Sequence, residues 1–480
     1  MAQAKGVLPN KADDREVLYK NPQTCGYFIE LTLGQSTEPE LRAWLDSVDG
    51  AVDQLVAREA PEEDHPKGRK VASVATGFAP SFFDKLAAAG IAFERPAGFT
   101  SEAAPPTDRF AGAPATTADA LFYVATTMEA RVNEFLALVA SSPAVQSVSL
   151  ERGYQRPDET EPFGYRDGVR NVVSSERLQV VYVHVDGDQP DEPSWADGGT
   201  YMVNMKLLQN PAALAALGDP AVQDTVIGRR RDGTRLDTPG VDPHEESADV
   251  PEALPPTAHI RKAGPRGQHD DTQIFRRGMP FLEASGGQLQ VGLHFCSFQA
   301  TPAQFDTVFN DWMMNSRFPN RPDGSSPGPD ALMTTTTAAG PLVQMLRAGI
   351  YFVPPARDGG LSEVFAAKPP TKRKVGRIAV NKVILDSSDP SRRFERGGFG
   401  FEVRDASGAT IPGSQFSTES SGRGVCPAEL TVGGSYQLVE TTAPLQVTSM
   451  ASVPFEMDKP NKTFRIENQF AQPGAGGYAG

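Results

Sequence analysis

Three side chains that could together act on a peroxide lie in three separate segments of this sequence. Asp167 lies in the run EPFGYRDG at residues 161–168, His259 opens HIRKAGPR, and Arg276 opens RRGMPF. An imidazole can bind iron from one side, while an acid and a guanidinium act on bound peroxide at the other. Each segment alone is weak evidence for such a site, since Asp-Gly, for example, also favours an ordinary turn.

Composition limits the classes of protein to consider. The 480 residues are too many for one compact core, so we expect two or three domains. A net charge of -14 argues against a nucleic-acid partner, because phosphate binding needs clustered Lys and Arg. The three cysteines, Cys25, Cys296 and Cys426, are an odd number and widely separated. They therefore suggest neither a disulfide framework nor a cysteine metal site.

The N-terminal residues lack the apolar core of a secretory signal, and no run is apolar enough to span a bilayer. We therefore expect no membrane association and a cytoplasmic location. Export or encapsulation by a partner stays open.

Hydrophobic periodicity predicts two similar halves before residue 350. Predicted strands are 27–33, 121–125, 144–150, 178–183, 201–205 and 290–298, and predicted helices are 38–55, 129–139 and 302–314. Strands joined by helices in this order fit two α+β units packed sheet to sheet. The acidic, Pro-rich stretches 186–197 and 238–256 are expected to be irregular, which places His259 just after a loop.

The chain changes character near residue 354. Paired prolines at 354–355 and 369–370 favour a linker, because they resist both helix and sheet. Short alternating segments follow at 377–385, 400–404, 435–440, 445–449 and 463–467, which predict a small all-β sandwich. The predicted limits are 1–357 for the two-unit domain, 358–375 for the linker, 376–470 for the sandwich and 471–480 for a flexible tail.

Five motifs in order give a resemblance to a known family. They are EPFGYRDG, IGRRRDGT at 227–234, AHIRKAGPR at 258–266, IFRRGMPF at 274–281 and GLHFCSFQ at 292–299. Over residues 20–355 the chain resembles the dye-decolorizing peroxidases, called DyP-type peroxidases. The resemblance implies an α+β fold of two ferredoxin-like units that hold haem b (iron protoporphyrin IX).

The same resemblance implies a role for each motif residue. His259 is the proximal iron ligand, Asp167 the distal acid and Arg276 the distal arginine, with Leu293 and Phe295 packed over the distal face. Hydrogen peroxide would be reduced, and dyes, phenols or other aromatic donors oxidised by one-electron steps through a ferryl intermediate. The alternative is a haem-binding, iron-releasing carrier without turnover.

Several finer expectations follow. If Asp167 has the pKa of an ordinary aspartate, it is ionised well below neutrality and activity is highest at acidic pH. Asp306 or Asp311 is a candidate carboxylate for the second ring nitrogen of the proximal histidine. Trp195 and Trp312 are candidates for relaying electrons to large donors.

The sequence also departs from the family pattern at three places. Met205 stands where many relatives have Arg, Arg235 where Pro often follows Gly-Thr, and Gly278 where some relatives have a distal asparagine. Met205 and Arg235 leave open which subgroup of the family the chain resembles. Gly278 leaves proton handling to Asp167, Arg276 and water.

The C-terminal segment resembles the prealbumin-like SpaA or Cna-B domains of bacterial surface proteins. The motifs are VNKV at 380–383, GFGFEVRDASG at 398–408, YQLVET at 436–441 and FRIEN at 464–468. The resemblance implies an isopeptide bond between Lys382 and Asn468, assisted by Glu440; the alternative is three ordinary strand residues. Such domains are usually extracellular, which conflicts with the expectation of no secretory signal. Docking of a protein through this domain and a homo-oligomer both stay open.

Overall fold

The computed structural model describes the chain in ranges separated by gaps. The described residues are 25–57, 72–91, 93–99, 110, 112–126, 128–169, 171–172, 180–185, 189, 192–241, 253–264, 272–319, 325–355, 360–366, 375–386, 393–395, 398–418, 423–443, 450–457 and 461–470. The chain divides into two compact units. The first comprises 1–172, 180–183 and 195–369, and the second comprises 173–179, 184–194 and 370–480.

The first half of unit 1 is a four-stranded antiparallel sheet with helices in its connections. Its elements are β1 (Cys25–Leu33), α1 (Glu38–Leu55), β2 (Ala72–Phe78), α2 (Pro80–Ala88), β3 (Ala120–Thr126), α3 (Glu129–Ala140) and β4 (Val145–Tyr154). The helix α1 begins at a capping box, in which the Glu40 carboxylate accepts the Thr37 N–H at 2.7 Å. Apolar residues at helical spacing, such as Leu41, Trp44 and Val48, are buried.

The second half repeats this organisation. Its elements are β5 (Thr200–Gln209), α4 (Pro211–Ala215), α5 (Pro220–Ile227), α6 (His259–Ala263), β6 (Phe275–Arg276), β7 (Met279–Ser285), β8 (Gln288–Gln299), α7 (Pro302–Asp306), a π-helix (Thr307–Met313), α8 (Ala331–Thr334), β9 (Thr336–Thr337), β10 (Gly340–Pro341) and β11 (Val343–Val353). A further helix, α9 (Gly360–Ala366), and 3-10 turns at Ala97–Phe99 and Ser194–Ala196 complete the elements before residue 370.

Both halves have the same strand order. The first runs β4-β1-β3-β2 and the second β11-β5-β8, with β6 and β7 following each other along the outer side of β8. Each is therefore a βαββαβ unit in which the last strand lies beside the first. The halves join into one nine-stranded sheet where Phe78 of β2 pairs with Phe352 of β11. The predicted α+β class is confirmed.

Some local predictions were wrong. Residues 180–183 form no strand, although Val180, Val181 and Val183 are buried. The predicted helix 302–314, in contrast, is confirmed in extent as α7 continued by the π-helix. Inside the predicted linker, α9 contacts α1, where the Leu361 N–H donates to Asp49 at 2.7 Å. The domain limits themselves stay a prediction.

Unit 2 contains two small sheets around an apolar core. Its strands are β12 (Val375–Asp386), β13 (Arg393–Glu395), β14 (Gly400–Asp405), β15 (Phe416–Ser417), β16 (Arg423–Val425), β17 (Leu430–Thr431), β18 (Ser435–Thr442), β19 (Ser452–Glu456) and β20 (Asn461–Phe470). The first and last of these, β12 and β20, pair in parallel. Buried residues such as Val380, Phe401, Leu438 and Ile466 fill the core.

Some predictions fall outside the described residues, namely the tail 471–480, the strand 445–449 and most of the stretch 238–256. Among the helices that the structure does describe, none has the length and apolar content to cross a membrane.

Candidate active site

The loop at residues 159–168 is organised around the carboxylate of Glu161. Its oxygens accept the backbone N–H groups of Phe163 at 3.0 Å and Tyr165 at 3.1 Å. They also accept the side-chain amide of Gln209, from β5, at 2.8 Å. A short chain segment is thereby closed into a fixed turn and tied to the central sheet.

A second loop with a related sequence supports the first. Both contain Arg-Asp-Gly, at 166–168 and at 231–233. The Arg166 N–H donates to the Arg231 carbonyl at 3.0 Å, and the Arg231 guanidinium lies 4.8 Å from the Tyr165 ring centroid. Gly164 has φ +84° and a Cβ there would come within 2.7 Å of that guanidinium, so the position requires glycine.

Asp167 is held at the end of this loop. Its N–H donates to the Glu159 carbonyl at 2.8 Å, and its Oδ1 accepts the Gly168 N–H at 2.7 Å. The side chain is reached by solvent, yet burial raises its pKa, while Gly168 and Arg276 act in the opposite direction. A group with both properties lines a recess. The expectation of an ordinary aspartate pKa was therefore wrong, because desolvation outweighs the nearby positive charge.

Arg276 reaches the same region from β6. It pairs with Ser297 of β8, and in an antiparallel ladder directly opposed residues point to the same face. Leu293 and Phe295 share that face because they are separated from Ser297 by even numbers of residues. Both are half-buried and lie across from Leu207 and Met205 of β5.

The alternation of β8 turns His294 the other way. His294 is fully buried, with its ring centroid 4.5 Å from that of Phe28 and 4.9 Å from that of Phe281. Burial lowers its pKa to about 4, and the neighbouring Glu151 only partly opposes this shift. His294 is therefore a neutral core residue that faces away from Leu293 and Phe295.

His259 is the first residue of α6 and is paired with a buried acid. Its Nδ1 lies 2.8 Å from Oδ2 of Asp330, and the two side chains are 30% and 0% exposed. The other oxygen of Asp330 caps α8 by accepting the N–H groups of Leu332 and Met333. Neither Asp306 nor Asp311 makes this contact. The signal for Asp330 is its position before the short run ALMT, typical of an N-cap.

A buried lysine fixes the helix that carries His259. Lys262 is fully buried, and its ammonium donates to the carbonyls of Asn315, at 2.7 Å, and Phe318. Burial lowers the pKa of Lys262 to about 8, with Asp330 opposing the shift. Sequence analysis did not single out Lys262, since a lysine at helical spacing usually faces solvent.

A cleft lies between the end of α6 and Arg276. Its lining residues are Asn171, Val172, Ala263, Gly264, Thr272, Gln273, Ile274, Arg276, Val308 and Trp312. The helix of His259 and the side chain of Arg276 therefore border one space. Trp312 lies at this cleft, whereas Trp195 packs among Phe93, Phe352 and other aromatic residues.

Asn171 is a site residue that the sequence analysis missed. Its side-chain amide makes two hydrogen bonds to the backbone of Arg276: Oδ1 accepts the N–H at 2.9 Å, and Nδ2 donates to the carbonyl at 2.7 Å. No local signal identifies such a contact, because the two residues are 105 positions apart.

Unit 2 contains a separate buried cluster of Lys382, Glu440 and Asn468. The Lys382 Nζ lies 2.7 Å from Glu440 Oε1, and both side chains are 0% exposed. Asn468 Nδ2 and the Ala451 N–H donate to Glu440 Oε2 at 2.9 and 2.8 Å. Burial lowers the pKa of Lys382, with Glu440 opposing the shift. Lys382 pairs with Ile466, two residues before Asn468, so Lys382 and Asn468 share a face of adjacent strands.

Comparisons with known sequences agree with the fold and the motif order. Residues 158–356 match the family model described as Dyp-type peroxidase, C-terminal. The chain is 26% identical over 391 residues to the dye-decolorizing peroxidase of Brevibacterium linens, covering 80% of this chain and 93% of that protein. It is 29% identical over 148 residues to the deferrochelatase of Yersinia pestis, covering 30% of this chain and only 34% of that protein.

Solved structures share the fold. The encapsulated DyP-type peroxidase of Mycobacterium smegmatis has a TM-score of 0.53 and 20% identity, over 77% of this chain and 99% of its own. A variant of DypB from Rhodococcus jostii RHA1, in complex with haem, has a TM-score of 0.53 and 18% identity, over 73% of this chain and 96% of its own. Unit 1 therefore has the fold of the DyP-type peroxidases. Residues 158–356 match the family model, and the likeness in fold extends over 77% of this chain.

Proposed function

We propose that the chain is a haem-dependent peroxidase that reduces hydrogen peroxide and oxidises dyes, phenols or other aromatic donors. One observation carries the proposal. Asp167 lies near enough to Arg276 for that cation to act on its pKa, and Arg276 lines a cleft that also borders the helix of His259. An acid and a fixed cation on one side, with an imidazole on the other, are the groups that peroxide cleavage needs.

The side chains of His259, Asp330, Leu293 and Phe295 fit haem b. Within the described ranges no three His, Cys, Asp or Glu side chains converge as a metal site, so iron at His259 needs ligands from outside the protein. A porphyrin supplies them. Asp330 engages Nδ1 of His259, which leaves Nε2 for iron, and the half-buried Leu293 and Phe295 offer an apolar face. When bound, haem would supply the electron-transfer chemistry. The R. jostii relative was solved with haem.

Asp167 would move the proton. Its Oδ1 is occupied by the Gly168 N–H at 2.7 Å, so Oδ2 is the atom that takes a proton from one peroxide oxygen and returns it to the other. With Gly278 following Arg277, no further side chain at that position shares this step. Arg276 would stabilise the negative charge that develops on the leaving oxygen, since its cation is fixed before the reaction begins.

Asp330 would set the basicity of His259. A buried carboxylate hydrogen-bonded to Nδ1 fixes the tautomer and orientation of the ring and increases the donation of electrons by Nε2.

A spectrum and a turnover assay test the proposal. The purified chain, loaded with haem, should show a Soret band and oxidise a dye only when hydrogen peroxide is present. Absence of the Soret band after reconstitution would rule the proposal out.

The second candidate is a haem carrier that releases iron without peroxide turnover. The name of the Y. pestis relative favours it, although that match spans about a third of the relative's length. Rapid mixing with peroxide separates the two, because the haem spectrum of a carrier does not respond promptly to peroxide.

Location and assembly are further parts of the proposal. The M. smegmatis relative is described as encapsulated, which supports a homo-oligomer enclosed by a partner in the cytoplasm. Unit 2 is then the candidate for docking to that partner, and removal of residues 372–480 should leave peroxidase activity intact while abolishing co-purification with a shell.

For unit 2 we propose a prealbumin-like sandwich with an isopeptide bond between Lys382 and Asn468. The Lys382 Nζ attacks Asn468 Cγ, the new amide forms, and the Asn468 amide nitrogen leaves as ammonia. Glu440, within hydrogen-bonding distance of both groups, carries the proton from Nζ to that nitrogen. Burial supports the step, because it favours the neutral amine that must attack.

Intact mass tests this reaction. The wild-type chain should be lighter than its sequence by one ammonia, and Glu440→Gln should have the full sequence mass. A wild-type chain of full mass would show that the three residues form an ordinary buried ion pair.

A further inference from the structure

We infer that Asn171 is the positioning residue for Arg276, and that it fixes the distance between the two groups proposed to act on peroxide. The inference rests on the proposed function. Asn171 lies four residues after Asp167. One loop therefore carries the acid directly and holds the arginine through the side chain of Asn171.

The backbone of Arg276 faces an open sheet edge. The segment 275–285 runs along the outer side of β8, and the N–H of Arg277 points inward to the Cys296 carbonyl at 2.7 Å. In an antiparallel ladder successive residues alternate in direction, so the N–H and carbonyl of Arg276 point outward. Among the strands that the structure describes, none pairs with these two groups on that side.

The amide of Asn171 replaces that missing partner. Its Oδ1 takes the Arg276 N–H at 2.9 Å and its Nδ2 reaches the Arg276 carbonyl at 2.7 Å. A primary amide has one acceptor and one donor in a plane, which are the groups that a neighbouring strand would present. Replacing Asn171 by aspartate would keep the acceptor and lose the donor, and replacing it by alanine would lose both.

This contact affects the position of Arg276 because little else in its own strand holds it. The strand β6 is only two residues long, and β7 begins after two further residues. The paired backbone sets the direction of the Arg276 side chain. Reacting groups displaced by about 1 Å cost up to roughly 100-fold in rate, so loss of the clamp should have a measurable kinetic effect.

Hydrogen exchange tests the clamp without any turnover. In the haem-loaded protein, Asn171→Ala should speed exchange of the Arg276 amide, whereas Asn171→Asp, which keeps the acceptor, should leave that amide protected. Equal exchange in the wild type and Asn171→Ala would overturn the clamp.

Kinetics test its function in the same proteins. Asn171→Ala should lower kcat/KM for peroxide by about 10- to 100-fold. It should also move the pH midpoint of activity upward, because a displaced Arg276 lowers the pKa of Asp167 less. In an Arg276→Leu background, Asn171→Ala should lower kcat/KM for peroxide by less than about 2-fold further. The effects of two residues are not additive when one acts through the other.

Asn210→Ala is the matched control. Asn210 also makes two amide contacts to backbone, to the Ala339 carbonyl at 2.8 Å and from the Ala213 N–H at 3.1 Å, at α4. It should leave the pH midpoint unchanged. If the wild type turns over and Asn171→Ala matches Asn210→Ala in rate and midpoint, Asn171 is merely structural and the inference fails. Lack of turnover in the wild type would instead count against the proposed function.

Discussion

The two units each bring a carboxylate close to a cation, under opposite conditions of solvent access. Arg276 lines a cleft, and the neighbouring Asp167 is reached by solvent. Lys382 and Glu440 are 2.7 Å apart and completely excluded from solvent. A pair at a cleft can meet substrate after substrate, whereas a sealed pair meets only groups of its own chain.

This difference separates a catalyst from a group that reacts once. Burial raises the pKa of Asp167 and lowers that of Lys382, so desolvation favours the neutral form in both places. For Asp167 the proposed role is reversible proton exchange with a small molecule. Lys382 contacts Glu440, which in turn contacts Asn468, so its proposed reaction is confined to groups of its own chain.

Asp167→Asn should give the largest effect. Loss of the proton-accepting oxygen should lower kcat/KM for peroxide by about 10²- to 10⁴-fold, with the Soret band retained. The matched control is Asp232→Asn, in the second Arg-Asp-Gly turn, which should stay near the wild-type rate. Equal losses in both variants would mean that Asp167 acts only through loop structure.

Lys382→Ala should destabilise unit 2 by about 3–5 kcal/mol, because it leaves the Glu440 carboxylate buried without its cation. Denaturant unfolding measures this. The control is Arg465→Ala on β20, whose ion pair with Glu467 is 35% and 42% exposed and whose loss should cost about 1 kcal/mol or less. A similar loss of unfolding free energy in the two variants would contradict the contrast between the buried and the exposed ion pair.

His259 and Asp330 form an intermediate case, because the histidine is partly exposed to solvent and the aspartate is fully buried. Asp330→Asn should weaken haem binding or activity by about 10- to 100-fold, because the acceptor for the His259 N–H is changed. Haem transfer to an apoglobin measures the release rate. Asp219→Asn, at the N-cap of α5, is the control for the loss of a capping aspartate, and it should retain haem normally.

The pH profile should give the smallest effect. Because the pKa of Asp167 is raised from 3.8, the carboxylate is lost at a higher pH than for an ordinary aspartate. Activity should therefore fall as pH decreases through a midpoint above 3.8. Steady-state rates across acidic pH check this, and a midpoint at or below the ordinary value contradicts the burial of Asp167.

Sequence pattern predicted the helix at Glu38–Leu55 and the strands β1, β3, β5 and β8 because each is rich in apolar residues, most of which are buried in the structure. It failed for 180–183, where buried valines pack without forming a ladder. The motif order singled out Asp167, His259 and Arg276, whose roles stay predictions. Asp330 and Asn171 could not be found, since each contacts its partner across at least 71 residues of chain.

The parallel pairing of β12 with β20 also determines how unit 2 responds to force. The first strand enters at one end of the pair and the last strand leaves at the other. Pulling on the chain at both ends therefore slides the strands along each other and strains the ten paired positions from Arg377 to Asp386 together. A covalent link at Lys382 would carry that tension through a bond, so unit 2 has the geometry of a tether that resists stretching.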